Sequence, residues 1–300
     1  MRFSQISLGA LALALATPAM ADTLPADPAP ALTDAKAPAD APVATVTDPA
    51  ATAEDPAPAA PAPAADGDTA PPPAFTLNGG ATVVSDYRFR GLSQTNIKPA
   101  LQGSLTVTHS SGIYLSVWGS SIDDYVADFG DQELDLIGGW KKTFKSGTTL
   151  DIGVLYYWYP GSDQGCGCKY YSDFFEPYIA LSHTIGPVTA KATINYAPSQ
   201  RALALGGKNQ DNLYGALDFS VGVPKTPVSF SAHLGHNFEK SFLSTGRTYT
   251  DWGVGMSIAW KQFSIGVSYV DTDLPKNWAT SFTGKDIAKP GVVATVGVSF

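Results

Sequence analysis

The chain ends with the stretch Pro290-Gly291-Val292-Val293-Ala294-Thr295-Val296-Gly297-Val298-Ser299-Phe300, in which bulky apolar residues alternate with small or polar ones. Successive side chains of a β-strand point to opposite faces. The pattern therefore predicts a strand with Thr295 and Ser299 on one face and an apolar set on the other: Val292, Ala294, Val296, Val298 and Phe300. A soluble, half-buried strand gives the same alternation, so the pattern alone does not choose between water and lipid.

The aromatic residue at the end of this strand favours lipid. The stretch resembles the C-terminal strand of bacterial outer-membrane β-barrels, in which the assembly machinery reads such a terminal Phe. The resemblance implies that Phe300 is an assembly signal and that this machinery is a partner of the chain. One segment of about ten alternating residues is a weak signal, so the interpretation needs further strands.

The first residues have the composition of an export signal. Arg2 supplies a positive charge, residues 6–16 form an apolar run, and Ala19-Met20-Ala21 is an A-x-A cleavage site. The run is too short to cross about 30 Å of hydrocarbon, so a membrane anchor is disfavoured. We expect residues 1–21 to be a cleaved signal peptide. The rest of the chain has no long uninterrupted apolar run, so any membrane-embedded part must be β.

Residues 22–74 consist mainly of Pro, Ala, Asp and Thr, with nine acidic residues and one basic residue. Such a segment buries too little apolar surface to fold, so a disordered linker is predicted. It accounts for the formal net charge of −8, and residues 75–300 are close to neutral, which gives no support for a nucleic-acid partner. The linker is interpreted either as a solvated spacer or as a periplasmic contact arm.

Residues 75–300 read as twelve candidate strands, the first over 75–88. Short turns near 110–112, 145–147, 185–187, 224–226 and 262 alternate with longer loops near 89–98, 123–131, 160–172, 198–210, 238–248 and 272–289. Bacterial outer-membrane barrels have an even number of strands, short periplasmic turns and longer extracellular loops. The sequence therefore predicts an all-β fold, a twelve-stranded antiparallel transmembrane β-barrel over 75–300.

Aromatic residues mark the expected membrane boundaries. Trp252 and Trp260 lie on one face of the strand predicted over 249–261, about 26 Å apart at roughly 3.3 Å per residue. This separation is close to the height of the apolar band between two aromatic girdles.

The opposite faces of the strands form the predicted lumen. Polar and charged residues fall in phase with small neighbours there: Glu133, Asp135, Asp151, Glu176, Lys191, Asn195, Tyr214, Asp218 and His233. Two interpretations stay open, a narrow aqueous pore and an interior closed by ion pairs.

Three stretches resemble one family. Ser85-Asp86-Tyr87-Arg88-Phe89-Arg90-Gly91-Leu92-Ser93-Gln94-Thr95 is similar to a signature of the TorF-family porins, as are the strand at 111–120 and the segment 157–161 with Glu176 downstream. The resemblance covers residues 75–300 and implies an outer-membrane barrel that forms a pore, without indicating a substrate. Residues 162–171 depart from the family pattern, so no family role extends to them.

The first motif contains the candidate selectivity element. Asp86 and Arg88 share the lumenal phase, and Arg90 follows near the end of the first strand. We expect an ion pair at the pore mouth or a constriction folded in from the first loop. In the alternative, Gly91 and Gln94 only set the turn while the arginines bind lipopolysaccharide phosphates or carboxylates.

Other chemistry finds little support in the sequence. Cys166 and Cys168 are the only cysteines; a loop-tip disulfide is expected, although C-x-C closes a small, strained ring. No cofactor or metal is predicted. Some twelve-stranded outer-membrane barrels are lipid hydrolases, and Ser231 and His233 share a face, but that face is lumenal, so no enzyme is expected. The predicted function is passive diffusion of small hydrophilic solutes or ions through a narrow lumen. The alternatives are a non-conducting structural barrel with a periplasmic tether and, less favoured, an outer-membrane lipid hydrolase.

Overall fold

The computed structural model describes residues 73–162 and 171–300. The predicted signal peptide, 1–21, and the predicted linker up to residue 72 lie outside them. The described residues contain no helix that is long and apolar enough to cross a membrane. Their strands are β1 (Phe75–Val84), β2 (Arg88–Phe89), β3 (Leu92–Ser93), β4 (Ala100–His109), β5 (Ile113–Ser121), β6 (Gln132–Thr143), β7 (Thr148–Trp158), β8 (Phe174–Ile185), β9 (Val188–Leu205), β10 (Lys208–Gly222), β11 (Val228–Asn237), β12 (Tyr249–Trp260), β13 (Phe263–Thr272) and β14 (Gly291–Ser299).

Twelve of these strands form a closed antiparallel barrel. The order around it is β1-β14-β13-β12-β11-β10-β9-β8-β7-β6-β5-β4, and β4 pairs with β1. The seam between β1 and β14 runs in register from Gly80 opposite Ser299 to Val84 opposite Thr295. Closure satisfies the backbone groups of both terminal strands and leaves the barrel no edge. The predicted twelve-stranded antiparallel barrel is confirmed.

The outer face of the barrel is apolar. Leu115 on β5 and Val292 on β14 are 68% and 69% exposed, and Trp260 on β12 is 66% exposed. The inward-facing side chains of the same strands are more buried. An apolar surface that continues around a closed barrel is the surface that lipid covers, so the chain forms a transmembrane barrel.

The two rims of the barrel differ in their connections. One rim, called the turn end here, has the connections 110–112, 144–147, 186–187, 223–227 and 261–262. The other rim, the loop end, has 85–99, 122–131, 159–173, 238–248 and 273–290, and the tip of the β9–β10 hairpin. The N-terminus of β1 and the C-terminus of β14 both lie at the turn end.

The structure corrects two of the predicted boundaries. The first strand ends at Val84 instead of residue 88, because the chain then turns into the barrel. Residues 198–210 were predicted as a loop, which is wrong: β9 and β10 continue as a hairpin to a tight turn at Gly206-Gly207. The side-chain amide of Gln200 supports this extension by bonding the backbone N–H and C=O of Phe175, at the loop end of β8.

The inward-facing side chains become more exposed from the loop end to the turn end. On β1 they pass from buried Val84 through half-buried Thr82 to exposed Thr76. On β10 they pass from buried Tyr214 to half-buried Asp218. The interior is therefore filled at the loop end and open to solvent toward the turn end.

Candidate functional site

A short hairpin fills the loop end of the barrel. Strands β2 and β3 are joined by the two residues Arg90 and Gly91, with φ values of 48° and 81°. Positive φ at both central residues characterises the type I′ turn, the tight connection whose twist suits a two-residue hairpin. Such a φ is uncommon for a residue other than Gly, so the surroundings of Arg90 must hold it in place.

The tip of the hairpin rests against the wall formed by β12 and β13. A Cβ atom added to Gly91 would lie 2.9 Å from Cβ of Asp251 and would overlap the side chain of Thr272. These residues belong to β12 and β13. Only a residue without a side chain fits this approach, and the positive φ adds a second reason for Gly.

Arg88 fixes the base of the hairpin. Its Nε donates to Asp86 Oδ2 at 2.6 Å, and its Nη1 donates to the carbonyl oxygens of Gly91 at 3.0 Å and Lys289 at 2.9 Å. The Ser93 hydroxyl donates to the other Asp86 oxygen at 2.6 Å. Arg88 and Asp86 are both buried. This pair therefore ties the hairpin to the last long connection, 273–290.

Arg90 reaches across the lumen. Its Nη2 donates to Glu176 Oε2 on β8 at 2.7 Å, and its guanidinium carbon lies 4.2 Å from the ring centre of Tyr214 on β10. The Tyr249 hydroxyl of β12 donates to the Arg90 carbonyl at 2.9 Å. Strand β8 is five strands from β1 in one direction and seven in the other, so the hairpin spans the barrel.

The wall around Glu176 holds its carboxylate in place. Tyr157 and Asn195 donate to Glu176 Oε2 at 3.4 Å and 3.3 Å. Further acidic groups lie on β6: Tyr159 donates to Glu133 Oε1 at 3.1 Å, and Asp135 is fully buried on the same inward face. Carboxylates that are paired and hydrogen-bonded are the form in which charge is tolerated inside a protein.

A second polar cluster lies on the wall formed by β10, β11 and β12. His233 hydrogen-bonds through Nδ1 to Asp218 at 2.6 Å and through Nε2 to Asp251 at 2.9 Å. The Tyr214 hydroxyl donates to Asp251 Oδ1 at 3.1 Å. Because Tyr214 also contacts Arg90 through its ring, this cluster is continuous with the hairpin.

A third cluster lies nearer the turn end. Lys141 pairs with Asp151 at 2.9 Å, and the hydroxyl groups of Tyr114 and Tyr178 donate to the same aspartate at 2.9 Å and 3.3 Å. Lys191 faces inward on β9, opposite Asp218 in the strand register. The Lys141 side chain is 35% exposed, so solvent reaches this cluster.

Two connections cover the hairpin at the loop end. Lys285 donates to the Asn96 carbonyl at 3.1 Å, and the N–H of Asp123 donates to the Gln94 carbonyl at 2.8 Å. The Tyr125 hydroxyl donates to the Ser93 carbonyl, and burial raises the pKa of Tyr125 to about 12. The hairpin is thus held from above as well as from the walls.

The structure brings most of the predicted residues together. The inward phase places nine of them on the barrel wall, namely Glu133, Asp135, Asp151, Glu176, Lys191, Asn195, Tyr214, Asp218 and His233. Asp86, Arg88 and Arg90 belong to the inserted connection. Their roles in a pore stay predictions.

Several residues of the site were missed in the sequence. These are Tyr114, Lys141, Tyr157, Tyr178, Tyr249 and Asp251. Lys141, Tyr157 and Tyr178 share the strand phase of predicted lumenal residues, so extending the alternation along those strands was the available signal. Tyr114, Tyr249 and Asp251 lie on the inward faces of β5 and β12, strands on which no site residue was predicted.

The remaining predicted residues lie apart from the hairpin. Phe300 is at the turn end, 75% exposed, and its N–H donates to the Gly79 carbonyl at 2.9 Å; its role in assembly stays a prediction. Cys166 and Cys168 lie outside the described residues. Within 73–162 and 171–300, no group of three or more His, Cys, Asp or Glu side chains could hold a metal ion.

Comparisons with known proteins give a family and several barrels. The model of a family described as "Bacterial protein of unknown function (Gcw_chp)" matches residues 68–300. No curated protein matches the chain. A solved NanC porin is 12% identical, with 75% of this chain and 99% of that chain covered at a TM-score of 0.49. An outer membrane channel from Pseudomonas putida F1 is 10% identical, with 77% and 96% covered at a TM-score of 0.44.

Proposed function

The chain belongs to the Gcw_chp family of bacterial proteins of unknown function, and we propose that it is a porin-like channel of the outer membrane. In this proposal small hydrophilic solutes or ions diffuse passively through a lumen that the hairpin β2–β3 narrows. The turn end faces the periplasm, with the linker of residues 22–74, and the loop end faces outward, as in other barrels of this membrane.

The hairpin that crosses the polar lumen is the observation that carries the proposal. A barrel that served only as a scaffold could be filled by apolar wall side chains, whereas here a separate segment enters from a connection. It is held by ion pairs and hydrogen bonds from Arg88 and Arg90. A polar plug that enters from a connection suits a constriction, because its hydrogen bonds and ion pairs can be exchanged for water when it moves.

The outer-membrane location draws on features outside the lumen. The apolar exterior requires lipid, and the predicted export signal directs the chain out of the cytoplasm. The proposed partners are outer-membrane lipid, lipopolysaccharide and the barrel-assembly machinery, which would contact the strand that ends at Phe300. The resemblance of residues 85–95 to the TorF-family porins supports the same function.

Within the motif, the geometry favours different roles for the two arginines. Arg88 is enclosed by Asp86 and by carbonyl oxygens, so in this proposal it positions the hairpin. Arg90 reaches across the lumen to Glu176, and in this proposal it is the group that a passing solute would meet. The motif thus supplies a constriction and the clamp that holds it.

A non-conducting structural barrel is the second candidate. The filled interior at the loop end favours it, since Tyr157, Leu155 and Val84 there are almost completely buried. No lipid hydrolysis is proposed. Both ring nitrogens of His233 are bonded to aspartates on the lumenal side, so neither is directed at the neighbouring Ser231.

Conductance of the full chain in planar lipid bilayers tests the proposal. The backbone N–H of Gln94 donates to the Tyr87 carbonyl at 2.7 Å, so two glycines can replace residues 88–93 without opening the base of the hairpin. We expect this variant to conduct several times more current than the unmodified chain. As the matched control, deletion of residues 205–208 at the β9–β10 tip should leave the current unchanged. Absence of current from both the unmodified chain and the hairpin variant would favour the structural barrel.

A further inference from the structure

The Arg90 guanidinium occupies a recess that the barrel wall provides. Glu176 Oε2 accepts its Nη2–H at 2.7 Å, and the Tyr214 ring lies against its face at 4.2 Å. Both groups belong to wall strands, β8 and β10, so they remain in place if the hairpin leaves the lumen. A carboxylate beside an aromatic face is the combination that binds planar, delocalised cations.

The Glu176 carboxylate is oriented independently of the hairpin. Tyr157 and Asn195, which donate to Oε2, stand on the neighbouring wall strands β7 and β9. Glu176 and Asn195 are fully buried. A carboxylate already fixed by its own wall keeps its position when Arg90 is removed, so another cation can take the same place.

The charges of the interior favour a cation over an anion. Among the described residues, seven acidic and four basic side chains face inward: Asp86, Glu133, Asp135, Asp151, Glu176, Asp218 and Asp251, against Arg88, Arg90, Lys141 and Lys191. Two of the four bases belong to the inserted connection. Removal of the hairpin with Asp86 leaves six acids on the wall against two lysines and His233. The wall itself is therefore acidic, and the hairpin carries much of the positive charge of the interior.

We propose that Glu176 and Tyr214 form a lumenal binding site for guanidinium-type organic cations, which Arg90 fills when the hairpin is docked. The proposal rests on the proposed function, because a free cation must enter the lumen to reach the site. Arg90 then acts as a tethered competitor of the permeating cation. The lumen admits such cations in preference to anions of the same size.

Conductance of the full chain with Arg90→Ala tests the site. The variant keeps Gly91 and Arg88, and it should carry more current than the unmodified chain in sodium chloride. Millimolar guanidinium chloride should then reduce this current, whereas the same concentration of added sodium chloride should not. Half of the effect is expected at about 10 mM, because a charge-assisted hydrogen bond and a cation–π contact together contribute only a few kcal/mol.

Two double variants identify the residues responsible. Arg90→Ala with Glu176→Gln should require at least about tenfold more guanidinium for the same block, since 1.4 kcal/mol corresponds to a factor of ten. Arg90→Ala with Asp151→Asn removes the same formal charge nearer the turn end and should leave the block unchanged. Circular dichroism establishes that each variant folds, and Arg90→Gln replaces the alanine variant if the latter does not assemble.

The possible failures are distinguishable. A current in Arg90→Ala no larger than that of the unmodified chain would contradict the constriction, and with it the proposed function. A larger current that guanidinium blocks no better than sodium would refute the cation site alone. Equal block in the Glu176→Gln and Asp151→Asn double variants would also refute the site, because the effect would then follow general charge.

Discussion

The loop end and the turn end of the barrel are made by the same twelve strands, yet their interiors differ. At the loop end the hairpin and its cover bury Arg88, Arg90 and Glu176 almost completely. At the turn end Lys141, Asp218 and Thr76 keep contact with solvent. The strands are shared by both ends, so the inserted connection and the two connections that cover it create the difference.

The comparison shows how burial changes the role of an ion pair. Lys141 and Asp151 form a pair that water can partly screen, whereas Arg88 and Asp86 form one from which water is excluded. Exposed pairs contribute little to stability, but loss of one partner from a buried pair leaves an uncompensated charge. Pairs at the two ends therefore have unequal consequences when broken.

The largest effect is expected from Arg88→Ala, set against Lys141→Ala as its turn-end counterpart. Loss of Arg88 should weaken hairpin docking by about 3–5 kcal/mol, because Asp86 stays buried without its partner. Lys141→Ala should cost less, about 1 kcal/mol, because solvent reaches Lys141 and the hydroxyls of Tyr114 and Tyr178 still donate to Asp151. Trypsin digestion of the bilayer-embedded chain measures docking, since cleavage after Arg90 requires the hairpin to leave the lumen. Equal resistance of both variants to trypsin cleavage after Arg90 would show that the ion pairs at the two ends do not differ in their contribution to hairpin docking.

A smaller effect is expected from Gly91→Ala. Its positive φ costs about 1–2 kcal/mol for alanine, and the overlap with Asp251 and Thr272 adds about 1–3 kcal/mol. Gly186→Ala at the turn end is the matched control, because Gly186 has a φ of 59° but no atom within 4 Å of the added Cβ. We expect higher conductance from Gly91→Ala and unchanged conductance from Gly186→Ala. Equal conductance in the two variants would show that the contact of the hairpin tip with β12 and β13 does not hold the hairpin in the lumen.

The smallest effect concerns the ionisation of Tyr125, on the connection 122–131 that covers the hairpin. Because the pKa of Tyr125 is raised from 10 to about 12 in the folded state, the folded chain retains this proton between pH 10 and 12 while the unfolded chain loses it. Stability from Tyr125 is therefore complete below pH 10 and declines as the pH rises toward 12. Tyrosinate absorbance of the unmodified chain minus that of Tyr125→Phe should show one hydroxyl titrating near pH 12. A transition near pH 10 would mean that Tyr125 is exposed.

The inward or outward orientation of the wall side chains could be predicted from the sequence, because it follows from the alternation along a single strand. A period of two places Glu133 and Asp135 inward, and the same rule places Val292 and Val296 outward. Each assignment needs only the neighbours along one strand. The strand count and the alternation of turns and loops then determined the topology.

The inserted hairpin could not be predicted in the same way. Arg90 meets Glu176, 86 residues away, and Arg88 meets the Lys289 carbonyl, 201 residues away. No local period specifies such partners. The available signal was Gly91, which favours a tight turn at this point but specifies neither a hairpin with positive φ at Arg90 nor its direction. The error over 198–210 has a similar cause, since the extension of β9 is supported by a side-chain amide, that of Gln200, which bonds the backbone of Phe175, 25 residues away on β8.

The β9–β10 hairpin extends past the strands on either side and ends at Gly206-Gly207, where an added Cβ would meet no atom within 4 Å. Exposed tips of this kind tolerate inserted sequence well. A short epitope placed between these two glycines would display a label on intact cells without touching the lumen. Antibody access to that label would report which way the barrel is oriented in its membrane.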